Sequence, residues 1–387
     1  MAKNIVLCFD GTGNGFEDPN TDSNVVKLYS SLVIDANQIG YYHPGVGTMG
    51  APNARGRAGK QWSRIKGLAF GAGLLNIVSD AYRYLMDTYA DGDRIFVFGF
   101  SRGAYTARAF ASVLHIFGLL CPGNHGCIPY ILRMYSKHSR QANSKEPSFG
   151  ADEPFKWEFS HGHEVRIHFC GLWDTVSSYG WIYHPVKLPF EERNPIIDIG
   201  RHAVSIDERR CYFQDNLWGQ SYPGQDIRQA WFSGVHSDVG GSYPEKESGL
   251  SKIPLEWLFV EAQKAGVRID GQKAKVVLGS GKPVPPVPGL PAYVVTDPNA
   301  CRHNSLHGKW WVAEFLPHLD PQSRGFRLYI PLGRRRKIPP GSLLHESVLL
   351  SRWKPVNLPE LPVEPWVRYG EDVSQMRPFL GVISQTP

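Results

Sequence analysis

The chain has 387 residues, 42% hydrophobic and 12% aromatic, with a formal net charge of +6. This is apolar material enough for a substantial core, which excludes global disorder, and the mild basicity lacks the motif or long basic stripe that nucleic-acid binding requires. No stretch approaches the roughly 20 apolar residues needed to span a bilayer. The N-terminus MAKNIVLCFDG enters a strand without the apolar region of a signal peptide, so the expectation is synthesis in the cytoplasm and, for any export, a route that uses no cleaved signal.

Ile5 to Phe9 reads as the first strand and runs into the turn-rich loop Asp10-Gly11-Thr12-Gly13-Asn14. Asn24 to Leu32 has helical character, Ile39 to His43 is a short strand, and the Gly-, Arg- and Lys-rich segment Met49 to Gly67 is predicted to be a mobile loop. Apolar residues at helical spacing span Leu74 to Tyr89 (Ile77, Ala81, Tyr84, Leu85), and Asp91-Gly92 ends that helix.

The most informative segment comes next. Ile95 to Phe98 is a continuous apolar run, as in a parallel strand buried on both faces. Gly99, Phe100, Ser101, Arg102 and Gly103 then spell G-x-S-x-G, and Ala104, Ala107, Arg108, Ala111 and Leu114 begin a helix. Strand, G-x-S-x-G and helix together make a nucleophile elbow, which exposes the serine at the carboxyl edge of a sheet.

Beyond the elbow helix, residues 121–160 are predicted to form a cap or insertion. Val165 to Trp173 is a strand closing in Asp174-Thr175-Val176, His202 to Arg210 is predicted helical, and Ala230 to Val235 is a strand closing in His236-Ser237-Asp238-Val239-Gly240-Gly241. Pro254 to Ala265 is helical again. This alternation predicts a mostly parallel α/β sheet flanked by helices, an α/β-hydrolase-like domain over residues 1–270. Proline-dense tracts at Gly279 to Pro298 and Pro355 to Pro365 predict a less regular extension, residues 271–387, packed on that domain. The six dispersed cysteines form no C-x-x-C pair, so neither a disulfide frame nor structural zinc is expected. The run Arg334-Arg335-Arg336-Lys337 reads as a solvated loop, with attraction to an anionic surface as its other use.

A serine hydroxyl needs a base to take its proton and an acid to hold that base in one tautomer. Ser101, Asp174 and His236 each follow a strand and occur in the order Ser, Asp, His. Asp238 competes for the role of acid, and His202 and His345 compete for that of base. The backbone amides of Arg102, at the helix start, and of Gly11 or Thr12, in the first loop, are candidate oxyanion donors, each typically worth about 3 kcal/mol. The loop FDGTGN, with Asp10 in its D-G-T, also suggests a metal-dependent phosphatase, but that class carries D-x-D-G-T, whose first aspartate attacks phosphate, and Cys8 stands at that position. A non-catalytic binding protein is the remaining alternative. Ester hydrolysis by this set needs no metal and no organic cofactor.

Taken together, LCFDGTGN, HPGVGT, GDRIFVFGFSRGAYTAR, GLWDTVSS, HAVSIDERR and GVHSDVGGSY resemble the first class of type VI secretion lipase effectors, over roughly residues 4–265. The resemblance implies an α/β-hydrolase fold and a triad whose GFSRG serine is Ser101, whose WDTV aspartate is Asp174 and whose VHSDVGG histidine is His236. It implies hydrolysis of phospholipid acyl esters, contact with a membrane surface, export without a cleaved signal and, for a toxin, an immunity protein as partner. Aromatic residues at Tyr179 to Tyr183 and at Trp310-Trp311 are candidates to wall an acyl pocket or dip into an interface.

Overall fold

The computed structural model describes residues 2–11, 18–45, 71–141, 152–176, 180–181, 184–185, 189–190, 192–282, 288–308, 310–319, 328–353 and 361–371. The loop expected at Met49 to Gly67, the candidate donor Thr12 and most of Tyr179 to Tyr183 lie outside these residues.

Eight parallel strands form one sheet. They are β1 (Asn4–Phe9), β2 (Gln38–His43), β3 (Arg94–Phe100), β4 (Ile167–Trp173), β5 (Ile197–Ser205), β6 (Asp226–Phe232), β7 (Leu343–His345) and β8 (Val363–Glu364). Their order is β8-β7-β6-β5-β4-β3-β1-β2, and every ladder in it is parallel. Side chains alternate across the strands, so Ile5, Leu7 and Phe9 of β1 enter one buried cluster while Val6 and Cys8 enter the other. The first cluster is covered by α2 (Gly71–Thr88), α3 (Arg102–Phe117) and α4 (Ile128–Gln141). The second is covered by α1 (Asn24–Ser30), α7 (Lys252–Lys264) and α8 (Gly271–Val277). A sheet wrapped on both faces is the doubly wound α/β arrangement expected from the alternation.

Two sequence expectations change. The segment predicted as a helix from His202 to Arg210 is instead the end of β5 and the loop after it. Its residues are buried between β4 and β6, and the ladder bonds available there override local helical character. The tract beyond residue 270, expected as an extension packed on the domain, supplies β7 and β8, so the sheet is continuous across that boundary. Leu343 and Leu344 pair with Ala230 and Trp231 of β6, and Glu364 of β8 accepts a bond from the Trp257 indole at 3.2 Å.

In the segment predicted as a cap, the described helices α4 and α5 (Asp152–Phe159) join the α2–α3 layer, with Ile128, Ile131 and Tyr135 in the same core. All six cysteines are free thiols, and burial pushes that of Cys170 up to about 12. Among the described residues no helix is long and apolar enough to cross a membrane.

Strand order fixes where a site can form. From β1 the chain moves outward to β2 and then returns to place β3 on the other side of β1. At such a reversal the loops leaving two neighbouring strands diverge to opposite faces and leave a crevice at the carboxyl edge of the sheet. Asp10 follows β1 and Ser101 follows β3, both at that edge.

Candidate active site

Ser101 links β3 to α3 with φ 58° and ψ −123°. A non-glycine residue in this sparsely populated region costs about 1–3 kcal/mol and persists only where its surroundings dictate it. Here they do. A Cβ on Gly103 would lie 2.2 Å from the Phe9 carbonyl oxygen, and one on Gly99 would lie 2.7 Å from the Ala104 backbone. Both glycines therefore let the helix start press against two strand ends, and the bend between them aims Ser101 out of the sheet edge. The Ser101 amide is tied across the sheet to the Trp173 carbonyl at 3.0 Å.

The three residues expected from strand order meet. His236 Nε2 lies 2.8 Å from Ser101 Oγ, and His236 Nδ1 lies 2.6 Å from Asp174 Oδ2. His236 opens the short helix α6 (His236–Gly240), and its ring is held between Phe100 and Phe213, with centroids 4.7 and 4.9 Å away. Gly240 makes room for this packing, since a Cβ there would overlap the Phe100 ring at 1.8 Å. Burial pushes the His236 imidazole below its ordinary value although Asp174 pulls the other way. Asp174, also at positive φ (38°), is fully enclosed. Burial alone would raise its carboxyl, but the Arg336 charge and the bond to His236 overcome that and hold it well below the usual carboxylate range.

The competing residues have other tasks. The Asp238 carboxylate accepts from the amides of Val235 and His303 and pairs with His303 Nδ1 at 2.6 Å. His202 accepts the Thr175 amide on Nε2 at 3.0 Å and faces Gln229 through Nδ1, while burial pushes it down to about 3. His345 caps α10 (Glu346–Leu350) and stacks on Phe232 with centroids 4.4 Å apart, and burial likewise brings it to about 3. Asp10 accepts from the Gly11 amide at 2.6 Å, from Ser23 Oγ at 2.7 Å and from the Tyr42 hydroxyl at 2.8 Å. These bonds make it a brace for the first loop, and they commit the Gly11 amide, expected as an oxyanion donor, to Asp10 in this conformation. The Arg102 amide is at the first position of α3, directly after Ser101.

Three participants were not legible in the sequence. Arg336, read there as part of a solvated cationic run, is inside: its side chain is 5% exposed, against 52% for Arg335, and it sits 2.6 Å from Asp174 Oδ1. Glu208 accepts the His236 amide at 3.2 Å and both amides of Arg209 and Arg210, and the Arg210 charge helps bring it down to about 2 against the effect of burial. Phe213 forms one wall of the histidine slot and meets Trp310 of α9 (Trp310–Glu314) at 5.6 Å. Only the charged run Asp207-Glu208-Arg209-Arg210, ending a motif that begins with small and apolar residues, offered a local signal.

Fold and site together define a class: an α/β protein with a Ser–His–Asp arrangement on an elbow at the carboxyl edge of a parallel sheet. The chain belongs to the type VI secretion system phospholipase effector family, whose Tle1-like catalytic-domain model matches residues 3–261. It is 39% identical over 223 residues to the uncharacterized protein YEL023C of Saccharomyces cerevisiae, an alignment covering 55% of this chain and 32% of that protein. Among solved structures it is similar to an uncharacterized protein from Pseudomonas aeruginosa at 21% identity, with TM-score 0.43, covering 69% of this chain and 47% of that one. It is also similar to a Tle1 effector solved bound to the VgrG spike of a type VI secretion system, at 18% identity and TM-score 0.38, covering 63% and 52% of the two chains. The chain thus spans about a third of the yeast protein's length and about half of each solved chain.

Proposed function

We propose that the protein is a serine carboxylic-ester hydrolase acting on acyl esters of membrane phospholipids. The observation that carries this reading is the relay from Ser101 Oγ through His236 to Asp174, at 2.8 and 2.6 Å, on a strained elbow. As Ser101 attacks an ester carbonyl, His236 Nε2 takes its proton and Asp174 steadies the imidazolium. The Arg102 amide is placed to donate to the oxyanion, and His236 returns the proton to the departing alcohol. Water then attacks the acyl-serine, giving a proton to His236, which passes it to the departing Ser101 Oγ as the fatty acid is released.

The phospholipid part rests on the family and on a surface next to the site. The amide of Leu332 donates to the Glu314 carbonyl at 3.1 Å and that of Gly333 to the Glu314 carboxylate at 2.9 Å, which sets the segment after residue 328 against α9. Val312, Phe315, Leu316, Leu328, Ile330 and Leu332 are all exposed there, and the exposed Arg334 and Arg335 follow directly. An apolar patch flanked by cations suits an anionic lipid surface, and Trp310, Phe213 and His236 connect it to the relay. Delivery by a signal-independent secretion machine, and an immunity protein as partner, follow from the family alone.

The test combines labelling and lipid chemistry. A fluorophosphonate probe should label the protein, and Ser101→Ala should abolish both labelling and p-nitrophenyl butyrate turnover. Phosphatidylglycerol vesicles should release free fatty acid with wild type only. Turnover unchanged by Ser101→Ala would sink the assignment, and ester turnover without fatty-acid release would remove the phospholipid part. Separate substitution of His202, His236 and His345 should leave only the His236 variant inactive.

A further inference from the structure

Arg336 departs from what a Ser–His–Asp relay requires, and it comes from outside the matched domain. Its guanidinium spans the Asp174 carboxylate, one nitrogen 2.6 Å from Oδ1 and the other 3.2 Å from Oδ2. The same nitrogens donate to Ser205 Oγ at 2.8 Å, to the Ser205 carbonyl at 3.1 Å and to the Phe213 carbonyl, while Nε faces Asp215 at 3.9 Å. The Ser205 amide completes the cage by donating to Asp174 Oδ1 at 2.8 Å. This is a planar fork on a carboxylate, geometry that a lysine cannot reproduce.

An aspartate in a relay works through its negative charge, which favours the imidazolium. A guanidinium on the same carboxylate offsets that charge, so His236 feels a pair that is close to neutral. The other groups facing His236 are Ser101 on the elbow and Glu208 and Arg210 on the loop after β5, while Asp238, on the helix that His236 opens, is paired with His303. Neutral His202 lies beside Asp174 through the Thr175 amide.

We propose that Arg336 is a positioning residue of the hydrolytic site: it clamps the Asp174 carboxylate in line with His236 and, by offsetting its charge, keeps the imidazole a proton acceptor in mildly acidic surroundings. This rests on the serine-hydrolase reading. Arg336 acts through Asp174 and does not touch the ester. It also makes the segment beyond the matched domain part of the working site.

The experiment is the pH profile of kcat/KM for p-nitrophenyl butyrate, on the full chain, for wild type, Arg336→Lys and Arg336→Gln, with fluorophosphonate labelling of wild type as the entry test. The wild-type acid limb should have its midpoint below 6.5, the ordinary histidine value. In Arg336→Gln that limb should move up by about one pH unit, a tenfold loss at the acid end beyond any loss at the plateau. Arg336→Lys, which keeps a charge but not the fork, should move it less. An Arg336→Gln limb superimposed on wild type overturns the proposal even if the plateau falls, since a purely structural role lowers rate without moving the limb. If Arg336→Gln does not fold, Arg336→Lys decides, and a lysine variant that matches wild type in both plateau and limb overturns the proposal, since the fork would then do nothing. Labelling with an unshifted limb sinks this inference alone, whereas absence of labelling sinks it together with the hydrolase reading.

Discussion

Ser101 and Asp174 occupy the two ends of one relay, yet they are held by different kinds of force. The serine end is built from backbone: a positive φ, two glycines without room for a Cβ, and an amide tied across the sheet. Its turn lies within Gly99 to Gly103, pressed against the strand ends at Phe9 and Trp173. The aspartate end is built from charge: a fully enclosed carboxylate whose cationic partner stands 162 residues further on. Steric devices tolerate no change in shape but are indifferent to pH, whereas a buried ion pair tolerates small shifts and responds to any change of charge.

Breaking each end in turn should make this contrast measurable. The largest effect is expected for Ser101→Ala, about a million-fold in kcat with an unaltered melting temperature, because only the nucleophile is lost. Asp174→Asn should cost about ten-thousand-fold in kcat by favouring the wrong imidazole tautomer, and here folding should also suffer, since the buried Arg336 loses the carboxylate it clamps and keeps only Asp215, at 3.9 Å, as an anionic partner. Gly103→Ala tests the steric end. Its Cβ must displace the Phe9 carbonyl, and a shift of about 1 Å in the elbow should cost about a hundred-fold in kcat/KM at every pH. A pH-dependent defect in that variant would erase the distinction between the two ends. Phe213→Ala, which opens one wall of the histidine slot, should cost about tenfold in kcat.

The smallest effect separates acid unfolding from titration of the relay. His345 is buried and neutral, with its value brought from 6.5 to about 3. Below pH 6.5 the unfolded chain binds a proton there that the native state refuses, so stability is full above 6.5 and falls as pH drops towards 3. The slope is about 1.4 kcal/mol per pH unit per such histidine. Urea midpoints at pH 7, 6 and 5 should show this decline in wild type, and it should be shallower in His345→Gln, while the acid limb of the catalytic profile stays in place.

How much could be read in advance follows the same division. Ser101, Asp174 and His236 were legible because each stands at the end of an apolar run, and strand ends at one sheet edge converge by topology. The strand β5 was not legible at its end because the segment read as one helix, His202 to Arg210, joins its last residues to the charged run Asp207-Glu208-Arg209-Arg210. In the structure that charged tail is outside the strand, and Glu208 turns back to the His236 amide. Arg336 was hidden by its neighbours. Four cations in a row look alike in sequence, and only the folded path selects the one that points inward. The strands β7 and β8 are two or three residues long, too short to show a period, and they exist because the edge of β6 is there to pair with.

The place of Arg336 in the chain also sets a timetable. A ribosome adding roughly 5–20 residues per second needs about 8 to 32 s to travel the 162 residues from Asp174 to Arg336. During that interval the nascent protein already owns its serine, and soon its histidine, but the carboxylate at the far end of the relay has no guanidinium to hold it, and β6 is still a bare edge. Assembly of the relay therefore waits on a segment made well after the serine, and the unfinished polypeptide precedes the completed site.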